Sequence, residues 1–292
     1  MGTRLVELLE RLARGEGYSD SILEGVRFMR STRTLRRNPV VYDPGIFIIA
    51  QGRKRGFLGG QVYTYDPKNY LVLSVPLPFE CETQGTPEKP LLGLSVRVEP
   101  ATVAELLLEM DDAPASHPAL PRGIYATPLN EGMCDAATRL LECLRSPADA
   151  RILGPHIVRE ITYRVLLGPQ GDALRVLAAR HSNFGQIARA LRRMHTDYSG
   201  SLDVETLANE SGMSVSTFHH SFKAVTSSSP LQYLKAIRLH KARMLMVHEG
   251  LGAGIAAGRV GYESPSQFSR EFKRFFGNSP ADEAARLRVV LA

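Results

Sequence analysis

The last third of the chain contains one pattern twice. The first copy, Leu207 to Pro230, reads LANESGMSVSTFHHSFKAVTSSSP, and the second, Ala256 to Pro280, reads AAGRVGYESPSQFSREFKRFFGNSP. Ser216, Phe218, Phe222, Lys223 and Pro230 recur 50 residues on as Ser266, Phe268, Phe272, Lys273 and Pro280. Ala208 and Gly212 recur 49 residues on as Ala257 and Gly261, so the second turn holds one extra residue. Each copy has the grammar of a helix-turn-helix. A small residue lets two helices cross closely, a Gly four positions later permits the tight turn, and a polar-faced amphipathic helix follows. Two such units on one chain place two recognition helices about one DNA turn apart, where they read successive major-groove segments.

At 292 residues and 43% hydrophobic content, the chain has apolar material for two cored domains. Its charge is unevenly spread. The net +6 divides into 14 Lys+Arg against 9 Asp+Glu from Gly185 onward, and 22 against 21 before it. The basicity therefore lies with the duplicated pattern, as phosphate contacts require. No apolar run approaches a membrane span, and MGTRLVELLERLARGEG at the start reads as a short amphipathic helix without a signal-peptide core. Position six is Val6, which argues against myristoylation. Cys81, Cys134 and Cys143 are odd in number and lack metal spacing, which suits a reduced cytoplasm. A cytoplasmic, nucleoid-associated protein is expected.

Residues 20–100 read as β structure. The short apolar runs 45–50, 61–65, 70–75 and 91–98 are separated by Asp-Pro, Gly-Gly, Pro-Lys-Asn and Pro-Glu-Lys-Pro, a spacing that suggests a small barrel or sandwich. Leu58-Gly59-Gly60-Gln61 reads as a hairpin turn. From Ala101 to Met110 the pattern is helical, and Asp111 to Pro128 reads as a loop. Amphipathic helices are expected at 130–145 and 149–167, with a break at Ser146-Pro147, then near Gly171 to Ala179 and from Gly185 to Tyr198. Ser214 and Ser264 are placed to cap the second helix of each duplicated unit, as is Asp203 or Ser201 for the first helix of the first unit. Leu231 to Val247 reads as one long helix joining the units.

These residues strongly resemble the AraC/XylS family of bacterial transcription regulators. Gly261 to Pro280 matches the family signature nearly throughout, and Arg238, Leu239, Ala242, Arg243 and Leu245 of the middle helix fit as well. Tyr42-Asp43-Pro44, Gln51 to Lys54, Tyr65-Asp66-Pro67 and Tyr70 to Pro78 are similar to the family's cupin-type sensor. The resemblance implies an α+β chain with three parts. A cupin-like β-barrel over 1–115 comes first, then a helical dimerisation and connector segment over 116–182. An all-α DNA-binding domain over 183–292 follows, with two helix-turn-helix units joined by a long helix. It also implies a homodimer on promoter DNA that activates transcription by contacting RNA polymerase, with repression as the other sign of regulation. The first unit departs from the pattern by lacking the usual Gly before Ser229-Pro230. The second carries Gly258 inside Ile255 to Arg259, more Gly than a good helix should hold, which predicts a short or frayed supporting helix.

By recognition-helix geometry and position in the family motif, the first unit presents Ser216, Thr217 and His220 to the groove, and the second presents Ser266, Gln267 and Arg270. Arg270 suits a guanine edge and Gln267 an adenine edge. Lys223, Lys273 and Arg274 lie farther along and suit phosphate. Phe218, Phe222, Phe268, Phe272 and Phe275 read as core.

In the β segment Ile46, Ile48, Leu71, Leu73, Leu92 and Leu94 suggest an apolar cavity for a small-molecule effector. Arg27, Arg30, Arg33, Arg36 and Arg37 alternate faces along strands, so they read as an exposed basic edge, with an anionic-effector site as the sharper alternative. All 8 His lie at or after His117, outside the β segment, which excludes a His-ligated barrel metal. No phosphate loop or nucleophile signature appears, so neither an enzyme nor a cofactor is expected. The competing reading makes the barrel a dimerisation or protein-docking module without a small-molecule effector.

Overall fold

The computed structural model describes residues 3–110, 120–178 and 182–291. Helix α1 (Thr3–Leu12) precedes nine strands: β1 (Gly17–Asp20), β2 (Val26–Ser31), β3 (Leu35–Tyr42), β4 (Gly45–Gln51), β5 (Arg53–Leu58), β6 (Gln61–Tyr65), β7 (Asn69–Leu73), β8 (Leu77–Gln84) and β9 (Leu91–Arg97). Then come α2 (Pro100–Glu109), β10 (Ile124–Pro128), α3 (Glu131–Cys143), α4 (Pro147–Ile152), α5 (Gly154–Leu166) and α6 (Asp172–Ala178). The duplicated region is α7 (Asn183–Thr196), α8 (Val204–Glu210), α9 (Val215–Thr226), α10 (Pro230–His248), α11 (Ala253–Arg259), α12 (Pro265–Phe276) and α13 (Pro280–Leu291).

The strands form two antiparallel sheets, ordered β1-β2-β9-β4-β7-β10 and β3-β8-β5-β6. Period-two alternation gives the larger sheet two apolar faces. Ile46, Ile48, Val72, Leu92 and Leu94 point to a layer made by α1, α2, α3 and α5, while Phe47, Ile49, Leu71 and Leu73 point to the smaller sheet. The expected hairpin is present: Leu58 pairs with Gln61 around Gly59 and Gly60, both at positive φ.

Three expectations are corrected. The segment 111–128 is not all loop, because Ile124–Pro128 forms β10 on the edge of the larger sheet, paired with β7. Pro128 ends that strand, where a missing N–H is tolerated. Residues 111–119 lie outside the described residues, as does 179–181. The helix expected at 149–167 is two helices, α4 and α5, because Pro155 opens the second and cannot sit inside a continuous one. The segment expected as a separate connector supplies β10, and it packs α3 and α5 onto the sheet in the same core as α1.

The two duplicated units superimpose in their logic. Ala208 and Ala257 are fully buried at the helix crossings, and the four Phe at 218, 222, 268 and 272 have no exposed surface. Each such Phe contributes about 1.5–3 kcal/mol by burial. Gly261 has φ +85°, and a Cβ there would collide with the Ser199 carbonyl, so only Gly fits the second turn. The Gly-rich helix α11 is nonetheless formed and has the same 7 residues as α8. Gly254 and Gly258 face open space, and Ala256 and Ala257 carry its packing.

The missing Gly before Ser229 has a visible consequence. Ser227 caps α9 at φ 56°, the one non-Gly residue in the left-handed region among those described, where the second unit has Gly277 at φ 85°. That conformation costs an L-residue about 1–2 kcal/mol. Ser227→Gly is expected to raise the unfolding free energy by about 1 kcal/mol, and Ser227→Val to lower it, in urea denaturation. Equal midpoints for the three proteins would remove this account.

Candidate DNA-reading faces and an interdomain cavity

Caps set the reading helices. Ser214 Oγ accepts from Thr217 N at 3.2 Å and Ser264 Oγ accepts from Gln267 N at 3.2 Å, so both helices start as expected, and Asp203 caps α8 through Thr206 N at 2.7 Å. At about 100° per residue, Ser216, Thr217, His220 and Lys223 share one face of α9, opposite Phe218 and Phe222. Ser266, Gln267, Arg270, Lys273 and Arg274 share the matching face of α12. All nine side chains are exposed. Ser216, Thr217 and His220 border one shallow cleft together with Leu120 and Asn183. On α12, Glu271, Arg274 and Phe275 border a cavity facing the β sandwich, so Arg274 lines that cavity instead of standing clear of the protein.

The relative placement of the two units is fixed by Arg238 on α10. Its Nε donates to Tyr198 O at 2.7 Å, Nη2 to Gly200 O at 2.8 Å and Nη1 to Gly261 O at 3.4 Å. One guanidinium thus ties the long helix to the loop before α8 and to the second turn. A charged donor satisfying three carbonyls in a half-buried setting is a strong staple.

The first unit is joined to the sandwich by apolar packing and by Tyr233. This fully buried residue donates its hydroxyl to Pro76 O, in the connection between β7 and β8, at 2.7 Å. His195 Nε2 lies 2.8 Å from the same hydroxyl, which is committed as a donor to Pro76, so the ring donates to it through Nε2. Gly123 N adds a bond to Val225 O at 2.9 Å. The sequence marked Tyr233 only as a helix-interior residue; its role needs Pro76, 157 positions away.

The second unit meets the sandwich across a cavity of about 750 Å³. One wall is the outer face of the smaller sheet, with Phe57, Pro78 and Glu80, and the tip of the β5–β6 hairpin at Gly59 to Val62. The other is Ser227, Lys235, Ala236 and Leu239 before and on α10, with Glu271, Arg274 and Phe275 on α12. Arg37 pairs with Glu80 and Lys235 with Glu271, the latter at 3.0 Å. Arg274 has no ion-pair partner among the described residues, so the lining keeps one cation in excess. Of the five clustered arginines, Arg37 alone lines this cavity.

The six residues expected to line an effector pocket do not form one. Ile46, Ile48, Leu92 and Leu94 pack under the helical layer, and Leu71 and Leu73 pack between the sheets. All six have zero exposure and fill the core. The sequence showed apolar strands, but period-two alternation in a sheet covered on both faces divides them.

A sandwich joined to two rigidly linked helix-turn-helix units, with bare polar reading faces and a basic balance, defines a DNA-binding transcription regulator. Residues 22–173 match the AraC-type transcriptional regulator N-terminus and residues 207–286 match a helix-turn-helix domain. The chain belongs to the AraC/XylS family, whose members are transcription regulators and not enzymes. It is 36% identical over 95 residues to the regulator AlkR of Acinetobacter baylyi and 36% identical over 87 residues to RclR of Escherichia coli, described as an RCS-specific transcriptional activator. These matches take in 32% and 30% of the chain and 31% of each relative, so the chain matches less than a third of their length. The fold is similar to that of ToxT from Vibrio cholerae O395 bound to (E)-4-(8-methylnaphthalen-1-yl)but-3-enoic acid. The TM-score is 0.59 at 11% identity, covering 93% of this chain and 100% of that one. Unsaturated fatty acid-bound ToxT gives a TM-score of 0.57 at 12% identity, covering 89% and 93%. Among the described residues no helix is long and apolar enough to cross a membrane.

Burial pushes the His195 imidazole down to about 4; nearby Asp43 opposes this and Lys241 adds to it. The unfolded chain takes up that proton near pH 6.5 and the folded chain only near pH 4. Between those values the unfolded state holds more protons, so stability is lost as pH falls, by about 3 kcal/mol in all. Urea midpoints are expected to drop from pH 7 to pH 4.5, and to drop less for His195→Gln, which keeps a donor for Tyr233 without titrating. Parallel pH profiles for the two proteins would reject His195 as the titrating group.

Proposed function

We propose that this regulator is a homodimeric activator controlled by a small apolar carboxylate held between the sandwich and the second reading unit. The observation that carries the effector reading is the cavity itself, whose walls come from both halves of the chain. Whatever binds there favours one relative placement of the halves over others, which is the requirement for coupling an effector to DNA. About 750 Å³ is the size of a small-ligand site. Aromatic and aliphatic walls with one unpaired guanidinium, Arg274, suit an apolar body carrying one negative charge. The two acids named for the ToxT structures have that form.

On DNA, Ser216, Thr217 and His220 read one groove segment and Ser266, Gln267 and Arg270 the next, with Lys223 and Lys273 on phosphate. Dimerisation uses the helical layer around α4 and α5, where Ile152 and Leu153 stand 60% and 50% exposed, and the bound dimer contacts RNA polymerase.

Two measurements test this. An operator obtained by in vitro selection is titrated by fluorescence anisotropy over a salt series. Arg270→Ala is expected to weaken binding by about 1–3 kcal/mol and to relax one base position. Lys273→Ala weakens all sequences alike and reduces the salt slope by about one. Equal binding by wild type and Arg270→Ala would remove the base-reading role. Separately, sub-millimolar decanoate is expected to raise the melting temperature of wild type and to do so less for Arg274→Ala. No rise for wild type would remove the carboxylate effector and favour the sandwich as a protein-docking module.

A further inference from the structure

We propose that Glu271 is the positioning residue for Gln267, and that it ties base readout by the second unit to the wall of the interdomain cavity. This rests on the reading that Gln267 faces a base edge. Glu271 lies one turn beyond Gln267 on α12 with its side chain only 13% exposed. Its Oε1 accepts from Gln267 Nε2 at 3.1 Å and from Lys235 Nζ at 3.0 Å, and its Oε2 accepts from Tyr262 OH at 2.9 Å. The carboxylate is thus fixed from α10 and from the second turn before it touches Gln267.

What it does to Gln267 follows from the chemistry of a primary amide. The carboxylate repels the amide oxygen and attracts the nitrogen, so it decides which end of the amide faces inward. One N–H goes to Glu271. The other N–H and the carbonyl oxygen stay free, and that donor–acceptor pair is the one adenine requires at N7 and its N6 amino group. An exposed Gln without such a partner samples many rotamers and gives up that freedom on binding. The first unit has no counterpart. Fifty positions earlier stand Thr217 and the buried Ser221, so the device belongs to the second reader alone. Lys235 and Glu271 both border the cavity, so charge bound there acts on the same carboxylate oxygen that holds Gln267.

A role as a mere staple between α12 and α10 predicts something different, and base preference separates the two. Operators from in vitro selection on the full chain, each with a single base changed, are titrated with wild type, Gln267→Ala, Glu271→Ala, Glu271→Gln and the double alanine variant. Melting temperatures are recorded alongside. Wild type is expected to prefer adenine at one position by about tenfold or more, and Gln267→Ala to lose that preference. Glu271→Ala cuts it to about threefold or less while leaving the preference at the Arg270 position intact. Glu271→Gln, which keeps an acceptor oxygen, retains most of it, and the double variant is no worse than Gln267→Ala alone. Lys235→Ala, which removes an exposed anchor but leaves the carboxylate, gives a partial loss and decides the matter should Glu271→Ala fail to fold. Full adenine preference in Glu271→Ala or in Lys235→Ala, or equal losses at both base positions, overturns the proposal. An unchanged preference in Gln267→Ala overturns the reading of Gln267 itself, and the proposal with it.

Discussion

One apolar core runs from between the two sheets into the first helix-turn-helix, and the rest of the architecture depends on it. Tyr42, Phe47, Tyr65, Leu71, Leu73 and Phe79 of the sandwich belong to the same cluster as Leu191, Leu207, Phe218, Phe222 and Tyr233. Burying Tyr233 requires a partner for its hydroxyl, and the Pro76 carbonyl supplies it. The sandwich and the first reader therefore share apolar surface that neither can expose without cost.

The second reader is seated differently. It has its own core, built on Leu239, Ala242, Met246, Val260, Phe268 and Phe272. It meets the sandwich through Arg243, which donates to Pro39 O at 3.3 Å, and around the cavity. Arg243 is itself nearly buried, stacked 4.3 Å over Phe276 and paired with Glu283, and burial lowers its guanidinium to about 10. The second unit thus has its own core, is tied to the first unit through Arg238, and meets the sandwich around the cavity.

Much of this was legible in the chain. The 49- and 50-residue offsets located both turns, Ser214 and Ser264 were read as caps because their hydroxyls reach the third amide, and the Phe spacing gave the buried faces. Gly59-Gly60 fixed a hairpin because both need positive φ. What could not be read were the contacts between distant segments. Apolar alternation at Ile46, Leu71 and Leu92 identifies strands but does not say which face meets helices and which meets the other sheet. Pro155 was hidden inside an otherwise helical pattern, and β10 was masked by the prolines before it and by Pro128 at its end, while its partner β7 lies 55 residues earlier.

By itself the sequence determined the two reading helices, their caps, their exposed faces and the class of protein. These are set by local rules of period, turn and cap, which act within about a dozen residues. Only the tertiary structure decided where a small molecule has room, that Arg274 turns toward the sandwich, and that Glu271 holds Gln267 from beneath. Those depend on packing between separate segments, from Lys235 and Glu271, 36 positions apart, to Tyr233 and Pro76, 157 apart, where a shared core and a single hydrogen bond choose among arrangements that local pattern leaves equivalent.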